Sequence, residues 1–509
     1  MSAAAETSPS VLTAARSADS ARRGTRVLLV LAAAALVLSG LFAVLALAQA
    51  LAWLGQPFAG VLTTSSLVVD GSDSLSGPTW PGLAAGIRAG DRLTALDGVP
   101  LVDSVALQAA LSGLAAGDVV SIATAASPEP FIYGLQSFPI SDWLLYFGVP
   151  FAAGLALLIA GVVLAVSRPD MPNALVAALT LATASAFMTL LFNLHSGGEL
   201  APVWLASALL TAGLLITISL IFPGRVSLAQ RRPWLIGLPP AAALFLAALL
   251  IGLLQSGPTP AVIAQIINLG LTLPFAGLVV LTLFLWARRN RVTTLLARDQ
   301  LNTVLISAML SLAVGIVYAL NQFVLNVTGQ SPLPFPVALT MPFFAIPGVA
   351  LAFAVSRRQA FNSDKVVSSG LTYTLLLLAL TVGYFLLVLA ASLLTGGALG
   401  ANSPLLIAII IFVVAVAFLP VRDRVQAQVD KLYFRRQEHY QAELEDFSRS
   451  VSVMSDLDSI LAAYRANLQQ QVDPELITIF VLSRQTGEYV SDGEPATDIR
   501  FAPTGALVG

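Results

Sequence analysis

The sequence is dominated by long apolar stretches that contain no Asp, Glu, Lys or Arg. A helix that spans the hydrocarbon core needs about 20 such residues, and ten stretches reach that length. They lie at about 27–54, 143–166, 173–194, 201–222, 234–255, 260–286, 301–327, 335–356, 371–395 and 403–420. Only 11% of the residues are charged, so a single soluble core cannot account for this much apolar surface. The sequence therefore predicts a polytopic α-helical membrane protein with about ten spans.

Basic residues are unevenly distributed over the connections between these stretches. Up to Arg436 the chain has 22 Lys and Arg residues. Twenty of them lie before the first stretch or directly after an even-numbered stretch. Arg88 and Arg92, between the first and second stretches, are the exceptions. By the positive-inside rule, both termini are expected in the cytoplasm. The first stretch is longer than the 7–15 apolar residues of a cleaved signal, so we interpret it as a signal anchor.

The composition excludes several classes of function. The chain has no cysteine and two histidines, which excludes thiolate chemistry and argues against a multi-histidine metal centre. We predict no catalytic, cofactor-binding or metal-ligating residue. A net charge of −2 argues against nucleic-acid binding. Spans without ionisable residues argue against an ion pump, and the absence of HExxH argues against a site-2 type intramembrane protease.

Four amide side chains lie within the apolar stretches. Gln265 and Asn268 belong to the sixth stretch, and Asn321 and Gln322 to the seventh. Buried amides hydrogen-bond between membrane helices, and they also line ligand pockets. The four residues are thus either interhelical contacts or a candidate membrane pocket.

Residues 55–130 differ in composition, with Gly, Ser, Asp and Pro turns between short β-rich runs. The pattern places a turn at Ala89-Gly90-Asp91, a strand at 92–96 and a tight turn at Asp97-Gly98. A helix at 104–114 and a strand at 119–123 follow. This order, with its AGD and DG residues, resembles a bacterial PDZ domain, so we expect a small α+β domain.

The PDZ resemblance implies a binding partner. PDZ domains add an extended peptide, often a protein C-terminus, to a sheet edge and hold its carboxylate with backbone N–H groups. The matching positions for the carboxylate loop are Phe58, Ala59, Gly60 and Val61. The alternative is a PDZ-like spacer whose groove binds nothing.

After the tenth stretch, the sequence predicts a cytoplasmic helix that pairs with a second copy. Apolar residues recur there at spacings of four and three, which is typical of a dimeric heptad seam. They are Leu444, Phe447, Val451, Met454, Leu457, Leu461, Tyr464 and Leu468. We therefore expect a homodimer. His439 is expected to be a solvated helix residue.

The segment LYFRRQEHYQAELEDFSRSVS is similar to the junction of membrane sensor histidine kinases and PP2C-type phosphatases, where such a helix leads into a GAF domain. Asp456-Leu457-Asp458 and ELITIFVLSRQTGEYV look like the first helix and hairpin of that domain, with the hairpin turn at Gln485-Thr486-Gly487. The remaining length is too short for a complete GAF domain, and no kinase histidine box or ATP-binding box is present. Whether the chain belongs to an enzyme is therefore left open.

Together, these features predict the sensory part of a signalling protein in the bacterial plasma (inner) membrane, in contact with lipid. It would relay an outside or membrane signal through a dimeric helix to a cytoplasmic output, and the alternative is a transporter with a regulatory PDZ-like domain. The expected parts are a disordered tail (1–26), the anchor (27–54), the PDZ-like domain (55–130), nine spans (143–420), the signalling helix (421–450) and a partial GAF-like domain (451–509).

Overall fold

The computed structural model describes residues 9–356 except for positions 71, 75–76, 196–197, 257–258, 290, 293 and 329–336. Beyond Ser356 it describes positions 383, 390, 420, 422–424, 427, 457–472, 479–482, 489–492 and 500–501. The predicted ninth and tenth spans, the seam residues before Leu457 and His439 therefore lie outside the described residues, apart from those isolated positions.

Helices make up most of the described chain. They are α1 (Pro9–Leu51), α2 (Pro81–Ala84), α3 (Ser104–Leu111), α4 (Ile140–Trp143), α5 (Val149–Ser167), α6 (Pro172–Thr189), α7 (Ala201–Ile221), α8 (Ser227–Arg231), α9 (Leu238–Gln255), α10 (Pro260–Arg289), α11 (Leu295–Thr328), α12 (Met341–Ser356) and α13 (Leu457–Val472). A π-helical turn, Leu144–Gly148, joins α4 to α5. Short 3-10 turns lie at Leu191–Leu194, Pro233–Ile236 and Val337–Thr340.

Eight helical segments in the described residues are long and apolar enough to cross a membrane. They coincide with the first eight predicted spans, which confirms a polytopic helical membrane protein. The prediction for the N-terminal tail is wrong in part, because α1 begins at Pro9 rather than near residue 27. The tail contains Ala and Arg, which favour helix, and the span beside it supplies an already formed turn from which the helix propagates.

Helices α6 and α7 form the centre of the bundle, whereas α1 and α9 lie at its edge. In the most apolar window of each helix, 78% of α6 and 72% of α7 is buried, against 17% of α1 and of α9. Small residues allow the central helices to approach closely. A Cβ added at Gly154 of α5 would lie 2.6 Å from Cγ2 of Thr189, and one at Gly277 of α10 would lie 3.0 Å from the carbonyl oxygen of Ala212.

Hydroxyl side chains are buried in the same two central helices. Thr180 and Thr189 of α6 and Thr217 of α7 each donate to the carbonyl four residues earlier. Thr211 of α7 contacts Thr183 of α6 at 3.1 Å between the hydroxyl oxygens. Such bonds satisfy polar groups where no water is present, so α6 can be less apolar than its neighbours and still lie inside the bundle.

Arginine side chains close the helix ends at one face of the bundle. Arg288 of α10 donates to the carbonyl oxygens of Phe222 (2.7 Å) and Gly224 (2.6 Å), just after α7. Arg168, after α5, donates to the carbonyl of Ser356 at the end of α12. Cations stabilise the negative ends of helix dipoles, so this arginine end is well matched to the helix C-termini that lie there.

The predicted sixth and seventh spans are shorter than the helices that the structure shows. Helix α10 continues to Arg289 and α11 begins at Leu295, so Arg289 and Asp299 lie inside helices and are buried. Nε of Arg289 donates to Oδ1 of Asn302 at 3.1 Å. The apolar centres of the spans carry no charge, but their ends at this face do.

A small α+β module lies between α1 and α4. Its strands are β1 (Pro57–Phe58), β2 (Leu93–Leu96), β3 (Val99–Pro100), β4 (Val119–Thr124), β5 (Phe131–Gly134) and β6 (Gln136–Ser137). The main antiparallel sheet has the order β3-β2-β4-β5, and β1 pairs separately with β6. Helix α3 begins at a capping bond from the Ala106 N–H to the Asp103 carboxylate.

The predicted elements of the module are confirmed within a few residues. Asp97 and Gly98 have φ values of 49° and 79°, as a type I′ turn between β2 and β3 requires. The predicted helix at 104–114 ends at Leu111, and the predicted strand at 119–123 extends to Thr124. These signals are local, so the sequence specifies them without knowledge of the fold.

At the C-terminal end, α13 is followed by β7 (Ile479–Leu482), β8 (Tyr489–Asp492) and β9 (Arg500–Phe501). Strands β7 and β8 pair as an antiparallel hairpin in which Leu482 faces Tyr489, and β9 pairs with β8. This agrees with the predicted helix and hairpin. The predicted turn at 485–487 lies outside the described residues.

Candidate functional site

Aromatic side chains join the module to the membrane helices. We call this cluster the joint. It consists of Trp53 after α1, Phe58 and Trp80 of the module, Phe138 before α4, Trp143 of α4, Tyr146 and Phe147 of the π turn, and Phe192 of the 3-10 turn after α6, together with the aliphatic Ala50, Leu62 and Ala338. Rings of Phe58 and Trp80 meet edge to face at 5.1 Å between centroids, and those of Phe58 and Phe138 at 4.9 Å. Edge-to-face pairs are favourable beyond their buried area, so the joint is a specific contact.

The two chain segments that connect the module to the bundle are paired with each other. Pro57 faces Ser137 and Phe58 faces Gln136 in the antiparallel β1–β6 pair. We call this pair the stem. Because the segments entering and leaving the module share one stem, the module cannot swing on two independent linkers.

Polar atoms of the joint aromatics bond across the contact. Trp80 donates from Nε1 to Oδ2 of Asp142 at 2.9 Å, and both side chains are fully buried. Tyr146 donates to the carbonyl oxygen of Asp73 at 2.8 Å. Trp143 donates to the carbonyl oxygen of Ala50 at 2.7 Å, which ties α4 to the end of α1. The bonds of Trp80 and Tyr146 are directional, so they set the orientation of the module as well as its attachment.

A second contact lies beside the joint, where the loop after α6 meets the module. His195 Nδ1 is 3.3 Å from the carbonyl oxygen of Thr63, and its Nε2 is 3.5 Å from Oδ2 of Asp70. Nearby, Asn193 donates to Oε1 of Gln49 at 2.6 Å and accepts from the N–H of Leu200 at 2.9 Å. The module therefore contacts the loop after α6 as well as α4, and the Asn193–Gln49 bond ties that loop to the end of α1.

The predicted peptide-binding residues lie between the joint and the core of the module. Phe58, Ala59, Gly60 and Val61 are all buried; Phe58 packs in the joint, whereas Ala59 and Val61 pack in the module core. Gly60 has a φ of 69°, a conformation suited to glycine. The carbonyl of Ala59 accepts a hydrogen bond from the Tyr133 hydroxyl, and burial raises the pKa of that phenol. Peptide binding at these residues stays a prediction.

The predicted membrane amides occupy different environments. Gln265 and Asn268 are exposed on α10, whereas Asn321 is buried on α11 and Gln322 is the next residue of that helix. A cavity of about 690 Å³ is lined instead by apolar residues of α5 and α12, with Thr303 of α11 beside them. Its lining includes Ala152, Ala153, Pro342 and Phe353. A pocket formed by the four amides therefore also stays a prediction.

The sequence did not indicate the joint. Asp142 and His195 stand at the boundaries of predicted spans, but nothing local connects Asp142 with Trp80, which is 62 residues earlier. The available signal was the density of aromatic residues beside these boundaries at positions 53, 58, 138, 143, 146 and 147. Within the described residues, no group of three or more His, Cys, Asp or Glu side chains could hold a metal ion.

Comparison with family models, with curated proteins and with solved structures finds no match to this chain.

Proposed function

We propose that this chain is the sensory part of a bacterial membrane signalling protein, in which a PDZ-like module outside the cytoplasm biases the membrane helices. The joint is the observation that carries this proposal. A module that acted as an independent binding domain would need only a linker, whereas this module is bonded to α4 through Trp80, to the π turn through the carbonyl of Asp73 and to the loop after α6 through the carbonyl of Thr63. A shift of the module would thus move several helix ends together.

The orientation is part of the proposal, and the arginine end supports it. Arg168 and Arg288 lie at helix ends that follow the even-numbered spans, opposite the helix ends that contact the module. The positive-inside rule then places the module outside and both termini in the cytoplasm. Reporter fusions at Gly71 and Gly509 test this topology, and reporters that are active on the same side would contradict it.

The element order β2, tight turn, β3, α3 and β4 supports the PDZ-like assignment, and with it an extended peptide as the ligand. Within the described part of the chain, the N–H groups of Ala59, Gly60 and Val61 donate no hydrogen bond, as a loop that receives a carboxylate requires. The loop is buried, so a peptide would reach it only by displacing it. That displacement would move Phe58 in the joint, so ligand binding would directly perturb the contact with the membrane helices.

The output is proposed to run through the cytoplasmic helix that ends in α13 and into a GAF-like domain, as in sensor histidine kinases and related phosphatases. A dimeric heptad seam has alternative packings that differ by a few kcal/mol, so a small shift of the spans can select between them. The described hairpin β7–β8 after α13 is compatible with the first hairpin of such a domain.

Cysteine crosslinking of the full chain in membranes tests this route, because the native sequence has no cysteine. If the helix is a parallel dimer, Leu444→Cys and Val451→Cys crosslink strongly, and Glu443→Cys and Ser450→Cys crosslink weakly. Adding Trp80→Ala, which opens the joint, should change the ratio of strong to weak positions. Val119→Ala, at an exposed position of the module, is the matched control and should leave the ratio unchanged. Equal crosslinking yields at all four positions, or a ratio that Trp80→Ala leaves unchanged, would overturn the proposal.

A further inference from the structure

His195 contacts two groups of the module, and both can only accept a hydrogen bond. The carbonyl oxygen of Thr63 faces Nδ1 at 3.3 Å, and the carboxylate of Asp70 faces Nε2 at 3.5 Å. A neutral imidazole carries one N–H, so it can donate to one of these partners and must present a lone pair to the other. An imidazolium carries two N–H groups, so it donates to Thr63 and also forms an ion pair with Asp70. A neutral ring with its proton on Nδ1 keeps the bond to Thr63 but loses the charge that attracts Asp70.

The contact is also placed where protons can reach it. The side chains of His195 and Asp70 are 17% and 22% exposed, so the pair is neither fully hydrated nor sealed inside the protein. It joins the loop after α6 to the segment that leads from the stem through Thr63 to Asp70. Breaking it would remove one of the contacts that hold the module on the bundle, so the adjoining joint would open more often.

We propose that His195 makes the attachment of the module sensitive to the proton concentration on the module's side of the membrane. In acid, the imidazolium donates to Thr63, pairs with the Asp70 carboxylate and holds the module on the bundle. When the ring loses its proton, the attraction to Asp70 is lost. Acid thus favours the docked module, and alkaline conditions favour its release. Protons would then be one signal for the proposed function. The effect of module release on the membrane helices rests on that function, whereas the pH-sensitive attachment does not.

Other charged groups surround the contact without replacing it. Asp70 faces His195 from the module, Glu199 is exposed on the loop of His195, and Asp73, Asp142 and Tyr146 belong to or adjoin the joint. Arg88, Asp91 and Arg92 lie on the module segment that pairs with Val68 and Val69. Exposed carboxylates, arginines and tyrosines ordinarily keep one charge state between about pH 5 and pH 8, which histidine does not.

The test measures opening of the joint itself. Leu62 is fully buried in the joint, so Leu62→Cys in the full chain reacts with a maleimide only when the joint opens. Ala116→Cys, at an exposed module position, corrects for the pH dependence of the thiol. We expect the protection of Cys at 62 relative to Cys at 116 to be roughly three- to tenfold greater near pH 5.5 than near pH 8.

Variants at the contact identify the responsible group. His195→Gln should abolish the pH dependence, Asp70→Asn should reduce it, and Glu199→Gln should leave it intact. A pH-independent ratio in the parent, or an unchanged pH dependence in His195→Gln, would overturn the inference. The readout does not involve the cytoplasmic helix, so the inference survives a failure of the signalling proposal, and that proposal survives a flat pH profile.

Discussion

The core of the module and the joint adjoin each other but are built from different side chains. The core is mainly aliphatic, with Leu67, Leu93 and Ile122 fully buried. The joint is mainly aromatic, and its Trp80 and Tyr146 also form hydrogen bonds between the module and the helices. Aliphatic packing is non-directional and holds the module folded, whereas directional aromatic contacts hold it in one position. The difference indicates that folding and docking of the module are separable.

Trp80→Ala should have the largest effect on this comparison. It removes a fully buried indole and the donor to Asp142, so it should make the free energy of docking less favourable by about 3–5 kcal/mol. Hydrogen exchange of the full chain in lipid nanodiscs should show faster exchange in the stem and unchanged exchange in β2 and β4. Loss of protection in both regions would mean that the module cannot fold without the joint.

Leu93→Ala perturbs the core of the module instead of the joint. Leu93 is fully buried in the module core, and its truncation should destabilise the module by about 2–4 kcal/mol. Exchange should accelerate throughout β2, β4 and α3, and the joint should loosen with them because it needs a folded module. Val119→Ala, at a position that is 70% exposed, serves as the control and should stay close to the parent protein.

Leu83→Ala tests whether the core and the joint are energetically coupled, because Leu83 packs against both clusters. It is half-buried, so we expect about 1–2 kcal/mol of destabilisation, shared between the core and the joint. In a double-mutant cycle with Trp80→Ala, the two effects should be non-additive by about 0.5 kcal/mol or more. Strict additivity would mean that the clusters are independent.

Trp143→Phe should have the smallest effect. It keeps an aromatic ring in the joint and removes only the bond to the carbonyl of Ala50, worth about 1 kcal/mol. The labelling rate of Leu62→Cys should rise by about fivefold, in line with that free energy, while the exchange of core amides stays unchanged. A rise as large as that of Trp80→Ala would show that this bond, and not aromatic packing, holds the joint.

The sequence predicted the parts that depend on neighbouring residues. Apolar length identified eight spans of the described chain, and Asp97-Gly98 identified the hairpin between β2 and β3. It missed the joint because Trp80 and Asp142 are brought together only by the fold. It also began the seventh span too late, because a charged residue such as Asp299 marks a span boundary when its burial is unknown.

The stem has a consequence for how such a protein could have arisen. Antiparallel partners lie about 5 Å apart, so Pro57 and Ser137 present the module to the rest of the chain as an insertion with adjacent ends. Removing the insert would leave α1 and α4 joined by a short hairpin, and another fold with adjacent ends could take its place. Recombination at this point would exchange the module while the helices beneath it kept their packing. Chimeras joined at residues 57 and 137 are therefore a practical way to place another domain on the same bundle.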